Sequence, residues 1–154
     1  MARAPALSDE QLAAWQAFIR AQSEVIGTLG RELETEQGLP ITFYDVLTQL
    51  SRAGGRLRMS ELADAVVLSR SGVTRLVDRM VRAGLVRREH CPTDRRSSYA
   101  VLTADGKKAL KQAWPVHSRG IAEHFARHLS CDEAKTLTDA FSRMAPSSDG
   151  DAAC

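Results

Sequence analysis

Apolar positions along much of the chain recur at helical spacing, and the breaks in that repeat divide it into elements. Leu12, Trp15, Ile19, Gln22, Ile26, Leu29 and Leu33 recur at alternating intervals of three and four, with Phe18 and Val25 widening the stripe. That spacing predicts an amphipathic helix from Asp9 to about Glu36. Ser8 and Gln11 form its capping box and Leu7 and Leu12 its staple. A stripe this long needs partners on more than one side, which implies a second subunit as well as the chain's own core.

Gly38 and Pro40 break the pattern. Thr42 is the expected cap of the next helix, Phe43 to Ala53, with Asp45 completing the box and Val46, Leu47 and Leu50 turned inward. Gly54 and Gly55 end it, and Arg56, Leu57 and Arg58 read as a short strand. A short helix from the expected cap Ser60 to about Val66 buries Leu62, Ala63 and Val66. Only Val67 and Leu68 separate it from Ser69, which caps the following helix. In that helix Val73, Leu76, Val77 and Met80 form the buried stripe, and at about 100° per residue Ser71, Arg75, Asp78 and Arg82 lie opposite, flanked by Thr74 and Arg79. Gly72 weakens the first turn, as expected where backbone must approach something outside, and Gly84 ends the helix.

After Gly84 the helical repeat stops and β-forming residues take over. Leu85 to Glu89 and Tyr99 to Leu102 read as strands, joined by a loop from His90 to Ser98 whose tip presents Asp94, Arg95 and Arg96. With Arg56 to Arg58 they would make a three-stranded sheet. Two helices at a steep angle followed by an arginine-tipped hairpin are the plan of a winged helix-turn-helix. The fold class is therefore mainly α with a small β wing, carried on a helical dimerisation region.

Beyond the wing, Thr103 caps a helix with Leu110, Ala113, Trp114, His117, Ile121, Phe125 and Leu129 on one side. Pro115 within it should kink or split it. Ser130 to Glu133 is a further capping box and opens a last helix carrying Leu137, Phe141 and Met144. The small, polar tail from 146 to 154 is expected to be disordered. The chain is expected to form one domain over 1–154, with dimerisation helices at about 8–37 and 104–145 and the winged helix-turn-helix at about 42–102.

Charge sharpens this picture. The chain carries a net +2, but the stretch from Arg52 to Arg96 holds eleven arginines, no lysine and five acidic residues, a balance of +6 that leaves −4 elsewhere. A basic block coincident with a helix-turn-helix and wing is an electrostatic footprint for phosphates, and arginine without lysine favours bidentate and groove contacts. Arg75 and Arg79 are the candidates for base edges or adjacent phosphates, with Ser71 and Thr74 in support. Ser60, Ser69 and Arg70, near helix N-termini, are candidates for phosphates. Arg96, then Arg95, suit a narrow minor groove, and Asp94 can brace a neighbouring guanidinium. Asp78 is expected to pair with Arg75 or Arg82.

The run LSRSGVTRLVDRMVRAGLVRR, followed by CPTDRRSSYAVLTADG, resembles the signature of the MarR family of bacterial transcription regulators. Asp94 and Arg96 stand at its DxR wing tip, and Leu102, Thr103 and Gly106 at its LTxxG. The motif covers about a third of the chain. The resemblance implies a homodimer that binds double-stranded DNA at an inverted repeat, usually as a repressor, and often releases it when a phenolic or anionic ligand binds. It also implies a ligand site where the dimerisation helices meet the DNA-binding lobe, which makes Trp15, Ile19, Tyr44, Leu47 and His117 candidates. Trp15 and Leu47 are equally well read as core residues.

Other chemistry is weakly marked. Cys131 at a helix N-terminus and Cys91 beside the wing are candidate redox-sensitive thiols, though the early cysteine that marks the peroxide-sensing branch of the family is absent. His124 and His128, one turn apart with Glu123 and His117 near, make a zinc constellation of low specificity. No phosphate loop, nucleophile elbow or zinc-protease motif points to an enzyme, and no cofactor is expected. An odd count of three cysteines, no long apolar run and no signal-like N-terminus predict a soluble, cytoplasmic protein without a membrane partner. The alternatives are a thiol- or metal-responsive regulator of the same fold, or a helical ligand-binding dimer without DNA binding.

Overall fold

The computed structural model describes residues 6–66, 68–90 and 97–144. Six α-helices and three strands follow in the order α1 (Asp9–Gln37), α2 (Ile41–Arg52), β1 (Arg56–Arg58), α3 (Met59–Ala65), α4 (Arg70–Arg82), β2 (Val86–His90), β3 (Ser98–Leu102), α5 (Ala104–His124) and α6 (Cys131–Met144), with a 3-10 turn at Ala126–His128 between the last two helices. The polar tail from 146 to 154, expected to be disordered, lies outside the described residues, as do Cys91, Asp94, Arg95 and Arg96.

The sheet has the order β1-β3-β2, both pairs antiparallel, with Arg58 opposite Tyr99 and Val86 opposite Leu102. The Leu102 N–H donates to the Gly55 carbonyl at 2.8 Å, which ties the end of β3 to the turn after α2. Beneath the sheet, Leu47, Leu50, Leu62, Val77, Met80 and Ala100 are fully buried and form the centre of the core. All four expected inward positions of α4 are buried.

Two caps differ from expectation. α2 starts at Ile41, and the Pro40 carbonyl accepts from Phe43 and Tyr44 N–H at 2.9 and 3.1 Å, so Thr42 lies inside the first turn. Proline's fixed φ sets the chain for helix entry two residues early. α3 starts at Met59 because the Glu61 carboxylate accepts the Arg58 N–H at 2.8 Å, which places Ser60 inside the first turn as well. The Ser8 and Ser130 boxes form as expected.

α5 is not split at Pro115. Pro115 and Lys111 are both exposed, so the carbonyl that loses its donor lies on the wet side of the helix. At the start of the helix, Thr103 Oγ1 accepts the Gly106 N–H at 3.0 Å and lies 2.7 Å from the Gly84 carbonyl. Gly106 is required by contact: a Cβ there would overlap the Leu85 carbonyl oxygen and sit 2.8 Å from Leu102 Cδ1.

The stripe on α1 is only partly covered by its own chain. Leu29 and Leu33 are buried, while Trp15 is 60% exposed and Leu12, Phe18, Ile19 and Ile26 are all exposed. Phe18 meets Phe141 of α6 with ring centroids 5.3 Å apart, yet α6 buries no residue fully. Trp114 and Phe125 are also exposed. These exposed apolar side chains on α1 and α5 and just after α5, with Phe141 of α6, are what the sequence pattern expects a second subunit to cover.

Candidate nucleic-acid interface and effector cleft

α4 presents its polar face to solvent. Ser69 Oγ accepts the Gly72 N–H at 3.1 Å and lies 3.3 Å from Ser71 Oγ, so both hydroxyls cluster at the helix N-terminus. Gly72 has a reason within the chain, since a Cβ there would stand 3.1 Å from Ser69 Oγ. Ser60, Ser69, Arg70, Ser71, Thr74, Arg75 and Arg79 are all exposed. The Leu68 N–H donates to the Ala63 carbonyl at 3.1 Å, closing the short turn that sets α3 against α4.

The arginines divide by what holds them. Arg75 has no polar partner among the described residues and can extend from the helix. Arg79 leans back, its guanidinium 5.3 Å from the centre of the Phe43 ring on α2, within cation–π range. Asp78 pairs with Arg88 of β2 at 2.9 Å, in place of the expected Arg75 or Arg82. The same guanidinium donates to the Thr74 carbonyl at 3.2 Å. β2 runs beside α4, and that cross-element approach decides the partner.

Sequence reading passed over one basic cluster on the sheet. The Arg56 guanidinium lies 3.8 Å from the Tyr99 ring centre, and Arg58 Nε donates to the Tyr99 hydroxyl at 3.2 Å. Glu89 lies 3.7 Å from Arg56 and also pairs with Arg87. The signal was the alternation of Arg56 and Arg58 on one strand face.

The five effector candidates separate. The Tyr44 and His117 rings meet at 4.3 Å between centres with their planes tilted by 42°, and Trp114 lies 6.5 Å from His117. Burial raises the Tyr44 pKa and lowers that of His117, since both charged forms lose water. His117 Nδ1 is buried with no hydrogen-bond partner among the described residues. Leu47 is fully buried core. Trp15 and Ile19 line a different, open groove along α1 with Gln16, Arg20, Ser23 and Glu24. Cys131 is exposed at the first position of α6.

Comparison with known proteins agrees with this arrangement. A sequence model described as the MarR family matches residues 37–97. An HTH-type transcriptional regulator of Bacillus subtilis, YkoM, is 34% identical over 80% of this chain and 78% of its own length. Two solved MarR family regulators of Streptomyces coelicolor superpose over most of both chains. Sco3205, in complex with DNA, is 30% identical at a TM-score of 0.84 and covers 97% of this chain and 96% of its own. AbsC is 33% identical at a TM-score of 0.82, over 92% and 96%. These relatives are transcriptional regulators, not enzymes, and among the described residues no helix is long and apolar enough to cross a membrane. With a three-stranded wing, an exposed α4 and relatives of this identity and coverage, the chain belongs to the MarR family of transcriptional regulators.

Proposed function

We propose that the protein is a homodimeric repressor that reads an inverted repeat and is released by a small aromatic, phenolic or anionic ligand. The observation that carries the DNA reading is the exposed face of α4, with Ser71, Thr74, Arg75 and Arg79 outward over a fully buried apolar stripe. In a two-fold dimer the two copies of α4 stand about 34–36 Å apart, one DNA turn, and each enters a major-groove half-site. Arg75 takes a base edge and Arg79, braced by Phe43, a base edge or adjacent phosphate. Ser69 and Arg70 at the start of α4, with Ser60 in the first turn of α3, bind backbone phosphates. Arg96 and Arg95 enter the minor groove, with Asp94 bracing a guanidinium.

For the effector, the Tyr44 and His117 pair is a better site than Trp15 and Ile19. Its rings offer a face for an aromatic ligand, and the unpartnered His117 Nδ1 offers a hydrogen bond to a phenol or carboxyl group. Leu47 would form its floor. The test is a gel-shift titration against the gene's own upstream DNA, with random DNA as control and a panel of phenols and aromatic acids added. Palindrome-dependent binding relieved by one compound is the expected result. Equal binding to random DNA would overturn the repressor reading, and specific binding that no compound relieves would overturn the ligand reading.

A further inference from the structure

α1 and α5 cross where Glu32 meets the last turn of α5. His124 Nε2 lies 2.6 Å from Glu32 Oε1, and a ligand atom from each of Glu32, Glu123 and His124 falls within 4.8 Å of the others. Glu32 Oε2 is buried and has no hydrogen-bond partner among the described residues. Gly120, one turn before His124, makes room first for Leu29 and also for that carboxylate, since a Cβ there would overlap Leu29 Cδ2 and stand 2.8 Å from Glu32 Oε2. A simple ion pair between His124 and Glu32 accounts for one carboxylate oxygen. It leaves the second oxygen buried and unpartnered.

We propose that Glu32, Glu123 and His124 form a binding site for a divalent transition-metal cation of the zinc class. One imidazole nitrogen and two carboxylate oxygens match the donor preference of zinc and its neighbours, whereas calcium and magnesium take oxygen alone. In a tetrahedral site with bonds of about 2.0–2.1 Å, ligand atoms stand roughly 3.3 Å apart. The His124–Glu32 contact opens slightly to reach this spacing, and the exposed Glu123 closes in. The cation also sits at the C-terminal end of α5, where the helix carbonyls favour positive charge. Glu123 stands on the solvent side, so water can complete the coordination. This trio replaces the grouping expected from sequence, because Glu32 comes from 92 positions before His124 while His117 and His128 do not join it.

The site is tested on the full-length protein with zinc alone, by competition against a chromophoric chelator, and with cobalt alone by its visible absorption. The expected result is one ion per chain. Glu123→Gln, at an exposed position that folding does not need, and His124→Gln each weaken binding at least about tenfold. His128→Gln leaves it unchanged. Absence of stoichiometric binding, retention of full affinity in either Glu123→Gln or His124→Gln, or an equal loss in His128→Gln overturns the proposal. The readout is metal affinity, so it stands or falls separately from DNA binding.

Discussion

Arg88 Nη2 of β2 lies 2.9 Å from Asp78 Oδ1 of α4, and the same side chain reaches on to the Thr74 carbonyl at 3.2 Å. The base of the wing therefore holds the helix that faces outward, and β2 and α4 keep a set mutual angle. Both side chains of the pair are partly exposed, which limits its worth to about 1 kcal/mol. Asp78→Asn is expected to lower Tm by no more than about 2–4 °C. It should nevertheless reduce the ratio of operator to random-DNA affinity, because the helix loses its brace while its face loses a negative charge. Thermal melts and paired salt titrations on both DNAs check this.

Arg75→Ala is expected to cost about 1–3 kcal/mol on the operator if the side chain makes a bidentate base contact. The loss should be much smaller on random DNA. Equal losses on both would make Arg75 a phosphate contact.

His117 gives a pH dependence of defined sign. Burial holds its pKa below the ordinary 6.5, so between that lowered value and 6.5 the unfolded chain binds a proton that the folded chain does not. Stability then falls as pH drops through this window. His117→Phe, which keeps a ring against Tyr44, should flatten that part of the Tm profile between pH 7.5 and 5.5 relative to the parent. Parallel slopes in the two proteins would remove His117 as the source.

Gly106→Ala forces a methyl group into the Leu85 carbonyl, a backbone atom that cannot rotate away. Because the overlap is with backbone, the cost falls toward the upper end of the about 1–3 kcal/mol of overpacking, above the roughly 1 kcal/mol gained in helix propensity. A net fall in Tm on differential scanning is the expected outcome, and a rise would mean that the start of α5 is free to shift.

Trp15 is 60% exposed in the single chain. Should a second subunit cover it, Trp15→Ser removes about 1.5–3 kcal/mol of apolar burial per chain, and the dimer dissociation constant should rise at least about tenfold. Sedimentation across a dilution series measures this directly. An unchanged constant would place the interface elsewhere.

Local grammar was the legible part of this chain. The Ser8 and Ser130 boxes and the buried stripe of α4 rest on residues within a few positions of one another, and each forms as the spacing expects. Thr42 and Ser60 misled because each helix starts two positions before its expected first helical residue, at Ile41 after Pro40 and at Met59, where the Glu61 carboxylate accepts the Arg58 N–H. Relationships that cross elements left no periodic trace. Arg88 takes Asp78, Phe43 takes Arg79, and Glu32 takes His124 because of how helices and strands cross. The exposed face of α4 follows from a 3.6-residue repeat alone. Separation of Trp15 and Ile19 from Tyr44 and His117 depends on where α1 lies against its neighbours, and spacing along a chain does not encode that.

The unbroken course of α5 through Pro115 makes it a lever. Its first turn is locked against Leu85 and Leu102 at the foot of the wing by Gly106, and its last turn is locked against Leu29 and Glu32 of α1. Twenty-one residues at 1.5 Å each make a rod of roughly 30 Å. His117 lies partway along it. A tilt of about 5° at that point, the kind of adjustment a ring-sized guest would demand, displaces the far end of a rod this long by roughly 1–3 Å. In the proposed two-fold dimer both protomers would shift together, so the displacements of the two copies would add. With the proposed dimer and ligand site, repacking beside Tyr44 would put the two copies of α4 out of step with a groove whose repeat does not change.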